Sequence, residues 1–139
     1  MFFSPFGRLT SPREMSLAVV GLDHANRDRS NRRFEMALCT HGEPIRLVRE
    51  PKNKADENAI AVVSARGIQL GYITSLRAAL IARWLDAGEA YDAVFQDAGH
   101  SAAIIRARFG GGSLWLPPER DDVIWDRSEE GGDSFDWGC

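Results

Sequence analysis

The sequence is poor in the features that define secreted, membrane and disulfide-rich proteins. Its 139 residues include only two cysteines, Cys39 and Cys139, so we expect no disulfide framework and a reducing, cytoplasmic location. No apolar run approaches the ~18 residues that a membrane-spanning helix needs. The apolar start, residues 1–6, has no basic segment before it and is too short for a secretory signal. The sequence therefore predicts a cytoplasmic protein without a membrane partner.

The sequence also lacks motifs for catalysis and for metal binding. There is no G-x-S-x-G, no P-loop and no H-E-x-x-H. Cys39 and the three histidines do not form a four-ligand zinc set, and no C-x-x-C pair is present. We therefore expect no enzymatic activity, no metal, no cofactor and no small-molecule substrate.

Charge divides the chain into a basic part and an acidic part. Residues 1–110 carry 15 Lys and Arg against 12 Asp and Glu, whereas residues 111–139 carry 2 against 8. Glycines 110–112 between them are typical of a flexible hinge. We expect an N-terminal arm over residues 1–15, a mildly basic domain over residues 16–110, and a flexible, acidic, tryptophan-containing tail over residues 111–139.

Short apolar segments separated by turn residues predict a mainly β domain. Strands are expected at residues 16–22, 45–49, 59–64, 68–73, 91–95 and 103–109. Between two of these strands, residues 51–58 have no apolar period and read as a polar loop. Five to six short strands with two helices suit a small closed or partly open barrel of the α+β class.

Two short helices are expected within this domain. The first covers residues 31–40, capped by Ser30 or Asn31 and ended by Gly42, and an extended strand is the weaker alternative. Its predicted apolar face is formed by Phe34, Ala37 and Leu38. The second helix covers residues 76–87, is capped by Ser75 and ended by Gly88, and has a core-facing stripe of Leu76, Leu80 and Trp84.

The polar loop and its flanks carry a family motif. The run Arg49-Glu50-Pro51-Lys52-Asn53-Lys54-Ala55-Asp56-Glu57-Asn58-Ala59-Ile60 resembles the R-E/D-P-x-N-x-x-D-x-N-A-I motif of the HIRAN family. Val19-Val20-Gly21 and Gly71-Tyr72-Ile73 are similar to the opening strand of the family and to its step before a helix. The resemblance covers about residues 16–110 and implies a modified OB-like β-barrel that stands alone, as in bacterial members.

The resemblance also implies a function in nucleic-acid binding. A member of the family fused to a helicase-type enzyme captures the free 3′ end of single-stranded DNA. By resemblance, Asn53 and Asp56 match positions that contact the terminal nucleotide, and Lys52 occupies a neighbouring contact position. Asp23 stands where that DNA-end binder has an arginine, and we expect its charge to repel phosphate. Ala55 replaces a frequent aromatic residue.

Residue chemistry extends this set of candidate contacts. The basic residues around the start of the polar loop are suited to neutralising phosphates: Arg46, Arg49, Lys52 and Lys54. His24 and Tyr72 are suited to stacking on bases. Arg77, in the first turn of the second predicted helix, extends the basic rim. The complete candidate set is His24, Arg49, Lys52, Asn53, Asp56, Tyr72 and Arg77.

Alternative interpretations remain open for the same residues. Asp56 and Asn58 can serve their own loop through backbone hydrogen bonds, and the basic residues can form a solvated edge. Tyr72 can pack inside the barrel. At the level of function, the first hypothesis is binding of single-stranded DNA in DNA repair or processing, together with a DNA-processing protein. The second is a protein-interaction module that uses the barrel and the acidic, aromatic tail.

Overall fold

Residues 13–119 are described by the computed structural model, and they form an antiparallel sheet with two helices. The strands are β1 (Arg13–Val20), β2 (Arg46–Arg49), β3 (Ile60–Val63), β4 (Gln69–Ile73), β5 (Tyr91–Ala98) and β6 (Ala103–Phe109). The helices are α1 (Arg32–Leu38) and α2 (Ser75–Asp86). All six predicted strands and both predicted helices are confirmed. Most of the predicted arm and the acidic part of the predicted tail lie outside the described residues.

The sheet curls because its two edge strands are brought together. The strand order is β2-β3-β4-β1-β6-β5, and all pairs are antiparallel. Beside the two edges, Pro44 forms an isolated bridge with Val94, and the Ile45 amide donates to the Ala93 carbonyl at 2.9 Å. We call this contact between the edges the seam. It gives a half-barrel and confirms the predicted small OB-like, mainly β architecture.

The core fills the inside of this curled sheet. Alternate residues of β1 and β6 are buried, as expected for strands with one face on the core. Phe109, the largest fully buried side chain, packs against Trp84 and Tyr91 with ring centroids 5.1 and 5.6 Å apart. Ile81 and Ala82 join the same cluster, so α2 packs against the core. Together these contacts hold α2 against β5 and β6.

Helix α1 faces the core with a different side from the one predicted. Phe34 is 65% exposed and Leu38 is 46% exposed, while Arg32, Glu35 and Met36 are buried. Glu35 accepts hydrogen bonds from Ser64 Oγ and Arg66 Nε, both at 2.6 Å. The helix therefore docks through Met36, which joins the core, and through Glu35, whose buried carboxylate is satisfied by distant residues. Phe34 and Leu38 remain on the solvent side.

The ends of the helices also differ from the sequence expectation. Asn31 is confirmed as the cap of α1, accepting from the Phe34 amide at 2.9 Å, but α1 ends at Leu38 and Gly42 lies in the next turn. In α2 the cap position is Thr74 rather than Ser75, and no side chain caps the helix. Leu76 is 87% exposed, and Ala78 and Ala82 are buried in its place because small residues let the helix approach the sheet closely.

The segment after β6 is partly attached to the barrel. The Trp115 amide donates to Glu14 Oε2 at 2.8 Å, and the Arg106 guanidinium lies 5.7 Å from the centre of the Trp115 ring. Burial acts first on Glu14 and raises its pKa, but hydrogen bonds from Arg108, Trp115 and Arg106 lower the pKa overall. The start of the predicted flexible tail is thus held against β1 and β6.

Candidate nucleic-acid interface

The polar loop, residues 50–58, is shaped by its own side chains. Asn53 Oδ1 accepts from the amides of Ala55 and Asp56 at 2.9 and 3.1 Å, and its Nδ2 donates to Glu50 Oε1 at 3.0 Å. Asp56 Oδ1 accepts from the Asn58 amide at 2.8 Å. Both candidate residues therefore order the loop, while one Asn53 amide hydrogen and Asp56 Oδ2 have no partner among residues 13–119.

Tyr72 connects the polar loop to the region that follows β1. Its hydroxyl donates to Glu50 Oε1 at 2.8 Å, and the Arg32 guanidinium lies over its ring at 5.7 Å. Arg32 in turn donates to the Gly21 carbonyl at 2.9 Å and to Asn26 Oδ1 at 2.6 Å. The half-buried Tyr72 ring therefore has one face beneath Arg32.

Two glycines permit the close contacts around Tyr72. A Cβ at position 71 would lie 2.2 Å from the Val20 carbonyl oxygen, so β4 can pair with β1 here only without a side chain. Gly21 has a φ of +83°, a conformation that L-residues with side chains rarely adopt. Both glycines belong to the segments that carry the family resemblance, and both serve backbone geometry.

Arg49 has an internal role, which differs from the predicted phosphate contact. Its Nε and Nη2 donate to the two carboxylate oxygens of Asp86 at 2.9 and 3.2 Å. Its Nη1 donates to the carbonyls of Glu57 and Ala59, both at 3.1 Å. Only 17% of the Arg49 side chain is exposed. Arg49 therefore fastens the polar loop to β2 and to the end of α2. Its guanidinium is occupied by these partners and is not presented for a phosphate contact.

Several cations around the polar loop remain unpaired. Lys52 and Lys54 are exposed on the loop, and Arg77 is exposed in the first turn of α2, directly after β4. None of the three has a carboxylate partner within the described part of the chain. Lys52, Lys54 and Arg77 are thus exposed, as expected for residues that the sequence offered as phosphate contacts.

His24 lies in a groove beside the loop that joins β1 to α1. Two clefts of about 310 and about 260 Å³ adjoin there and share Leu22, Asp23, His24 and Arg33. We call the two together the loop groove. The first cleft continues to His100 and Ser101 in the β5–β6 turn, and the second continues to Arg29 and Ser30. His24 is exposed within this groove.

Asp23 in the loop groove is paired with Arg33, a contact that the sequence did not predict. Both of its oxygens accept from the Arg33 guanidinium, and the hydrogen bond from Arg33 lowers the pKa of Asp23. Arg33 also donates to the His100 carbonyl at 2.8 Å. Sequence reasoning missed Arg33, Arg29 and His100, although a cluster of arginines in residues 27–33 was visible.

The predicted site residues therefore fall into connected groups. Arg32 and Tyr72 link the loop groove to the polar loop, so His24, Tyr72, Lys52, Asn53 and Asp56 belong to one continuous region. Arg77 lies next to it along the chain, and Arg49 lies behind it. We call this region the loop face. Its cations are interspersed with the carboxylates of Asp23, Glu50 and Asp56.

Residues 13–119 show no sign of a metal site, a reactive thiol or a membrane-spanning helix. In that range no group of three or more His, Cys, Asp and Glu is arranged to hold a metal ion. Burial raises the pKa of the Cys39 thiol to about 11, so this thiol stays protonated at neutral pH. No helix in the same range is long and apolar enough to cross a membrane.

The fold and the loop face together define a small OB-like barrel domain with an ordered polar loop. The HIRAN domain family model matches residues 14–104. The chain therefore belongs to the HIRAN family, as the sequence motifs indicated.

Solved structures show the same fold. The HIRAN domain of human HLTF is 22% identical with a TM-score of 0.58, covering 70% of this chain and 74% of that chain. A protein from Lactobacillus plantarum is 20% identical with a TM-score of 0.60, covering 73% and 98%. The HLTF HIRAN domain in its DNA-bound conformation is 24% identical with a TM-score of 0.50, covering 70% and 74%. A search of curated proteins gives no significant match.

Proposed function

We propose that this HIRAN protein is a non-enzymatic module that binds single-stranded DNA, including its 3′ end, on the loop face. The observation that carries the proposal is the Arg32–Tyr72–Glu50 connection, which joins a groove to a rigid polar loop on one surface. Membership of the family supports it, because a related HIRAN domain has been described in a DNA-bound conformation. A role in DNA repair or processing, a DNA-processing partner and a cytoplasmic location belong to the same proposal.

The residues of the loop face have distinct roles in this proposal. Lys52, Lys54 and Arg77 contact phosphates, because they are exposed and unpaired among the described residues. His24 and Tyr72 stack on bases. The free amide hydrogen of Asn53 and the free oxygen of Asp56 hydrogen-bond the terminal nucleotide. Because the loop is held by its own hydrogen bonds, it presents these groups without a large cost of ordering.

Fluorescence anisotropy with short single-stranded oligonucleotides tests the proposal. If the protein neutralises three phosphates, raising the salt concentration from about 50 to about 200 mM should weaken the affinity about 20-fold. This follows from the release of ~0.7 counterions per phosphate. Lys52→Ala and Lys54→Ala should each weaken binding of all sequences. Blocking the 3′ end should weaken binding further. Lack of salt-sensitive binding at micromolar protein would exclude the proposal.

His24→Ala, with His41→Ala as its matched control, tests the stacking role. His24 is exposed in the loop groove, whereas His41 lines neither cleft and its Nδ1 lies 2.9 Å from the Gln96 carbonyl. Loss of one stacked base should weaken binding by about fivefold or more, given ~1–3 kcal/mol per base. The control should bind as the wild type does. Equal affinities for the two variants would remove His24 from the site.

A second function is favoured by the outer side of α1. Phe34 and Leu38 are exposed there, and such apolar side chains are typical of protein contacts. The alternative proposal is that the barrel and the acidic, aromatic residues 111–139 bind a protein. Phe34→Ser would then abolish complex formation with a DNA-processing protein and leave DNA affinity unchanged. An unchanged complex would remove α1 from that alternative.

A further inference from the structure

Arg33 is held within the loop groove from two sides. Its Nη1 donates to the His100 carbonyl at 2.8 Å, which ties the side chain to the β5–β6 turn. Its Nε and Nη2 donate to Asp23 from the other side. A guanidinium has five N–H groups, so three are used and two remain. Arg33 is therefore held in place even when one of its two partners is removed.

Asp23 holds Arg33 from an exposed position between the two clefts. The Asp23 side chain is 76% exposed and that of Arg33 is 38% exposed, so water reaches both groups. Both residues line both clefts. An ion pair this exposed contributes little stability and is readily exchanged. A strand that runs along the groove has to pass over this pair.

We propose that Asp23 is an internal competitor, which occupies Arg33 in the free protein and gives way to a phosphate group of the bound strand. The inference rests on the proposed function and concerns its regulation. Arg33 remains tied to His100 when Asp23 leaves, so it meets the phosphate already positioned. The released carboxylate stays near the phosphate and repels it. Asp23 thereby sets an upper limit on affinity and favours ligands that engage the rest of the loop face.

The ionisation of the pair supports an exchange between two anions. The hydrogen bond from Arg33 lowers the pKa of Asp23, and the same contact raises the pKa of Arg33. Both groups are therefore charged near neutral pH. A phosphodiester is charged under the same conditions, so the exchange needs no proton transfer.

Asp23→Asn tests the proposal, with Asp28→Asn as its matched control. Both changes remove one exposed carboxylate from the same loop, but Asp28 accepts from Ser30 and lines neither cleft. In anisotropy titrations at low salt, Asp23→Asn should bind single-stranded DNA about threefold to fivefold more tightly, the range that an exposed ion pair allows. Asp28→Asn should change affinity by less than about twofold, through net charge alone.

Arg33→Gln identifies the group for which Asp23 competes. This variant should bind more weakly than the wild type, and adding Asp23→Asn to it should no longer produce the gain. Circular dichroism and thermal melting of each variant establish that the fold is retained. A gain that persists in the double variant would overturn the proposal, because the effect would then be general repulsion.

The remaining outcomes separate this inference from the proposed function. Wild-type binding with an unchanged or weaker Asp23→Asn variant overturns the competitor role and leaves DNA binding standing. A weaker variant would show that Asp23 positions Arg33 instead. Absence of binding by every variant would remove both proposals.

Discussion

Asn53 stabilises the polar loop with three hydrogen bonds, and each is lost in Asn53→Ala. Because two of them satisfy backbone amides, we expect the variant to lose about 1–2 kcal/mol of unfolding free energy. Urea unfolding measures this loss. Lys52→Ala, one position away and exposed, is the control and should stay within about 0.5 kcal/mol of wild type. Equal stabilities for the two variants would contradict the structural role of Asn53.

Asp86 gives a pH-dependent test of the role of Arg49. The hydrogen bond from Arg49 lowers the pKa of Asp86 below its ordinary value of 3.8. A carboxyl with a lowered folded-state pKa contributes stability above 3.8, and that contribution disappears as pH falls through the lower folded value. Thermal melting between pH 7 and pH 2 should therefore show a smaller loss in Asp86→Asn than in wild type. Identical pH profiles would argue against the pair.

The candidate site was only partly visible in the sequence. Lys52 and Arg77 are exposed as predicted, because their surroundings are local and polar. Arg49 carries the same charge, but its partner Asp86 lies 37 positions away, and no local pattern reveals it. The pairing of Asp23 with Arg33 was equally hidden in the sequence, because it depends on how α1 docks.

Helix α1 offers the clearest prediction at the scale of an element. Glu35→Ala leaves Ser64 Oγ, a buried group, without the carboxylate that accepts its hydrogen bond. An unsatisfied buried polar group costs about 1–3 kcal/mol, so we expect a loss of that size in urea unfolding. Phe34→Ala on the same helix removes a larger apolar side chain that is exposed, and should cost less than about 0.5 kcal/mol. The reverse order would support the apolar face predicted from the sequence.

The elements themselves could be predicted far better than their orientations. Apolar segments and turn residues located all six strands, since a strand and its turns are encoded locally. Which face of α1 points inward depends on Ser64 and Arg66, which lie in the turn between β3 and β4. In α2, the side with Ala78 is buried and Leu76 is exposed, and this orientation similarly depends on how closely the helix approaches the sheet. Periodicity alone does not contain either piece of information.

At the scale of the whole molecule, the seam should be the weakest part of the barrel. Its hydrogen bonds include the Ile45 amide to Ala93 and the Phe95 amide to Glu43, whereas β1 and β6 pair continuously from Arg13–Phe109 to Val19–Ala103. Short contacts open locally at lower cost than long central ladders. Hydrogen exchange should therefore be at least about tenfold faster for the Ile45 amide than for slowly exchanging amides of β1. Equal protection would indicate a barrel that opens only as a unit.

Glu50 Oε1 accepts from both Asn53 Nδ2 and the Tyr72 hydroxyl. One oxygen atom is thus shared between the polar loop and strand β4 of the barrel. A ligand that moves the Tyr72 ring therefore also disturbs the hydrogen bond that holds Asn53. Binding at Tyr72 and the conformation of the polar loop are consequently coupled through this one carboxylate oxygen.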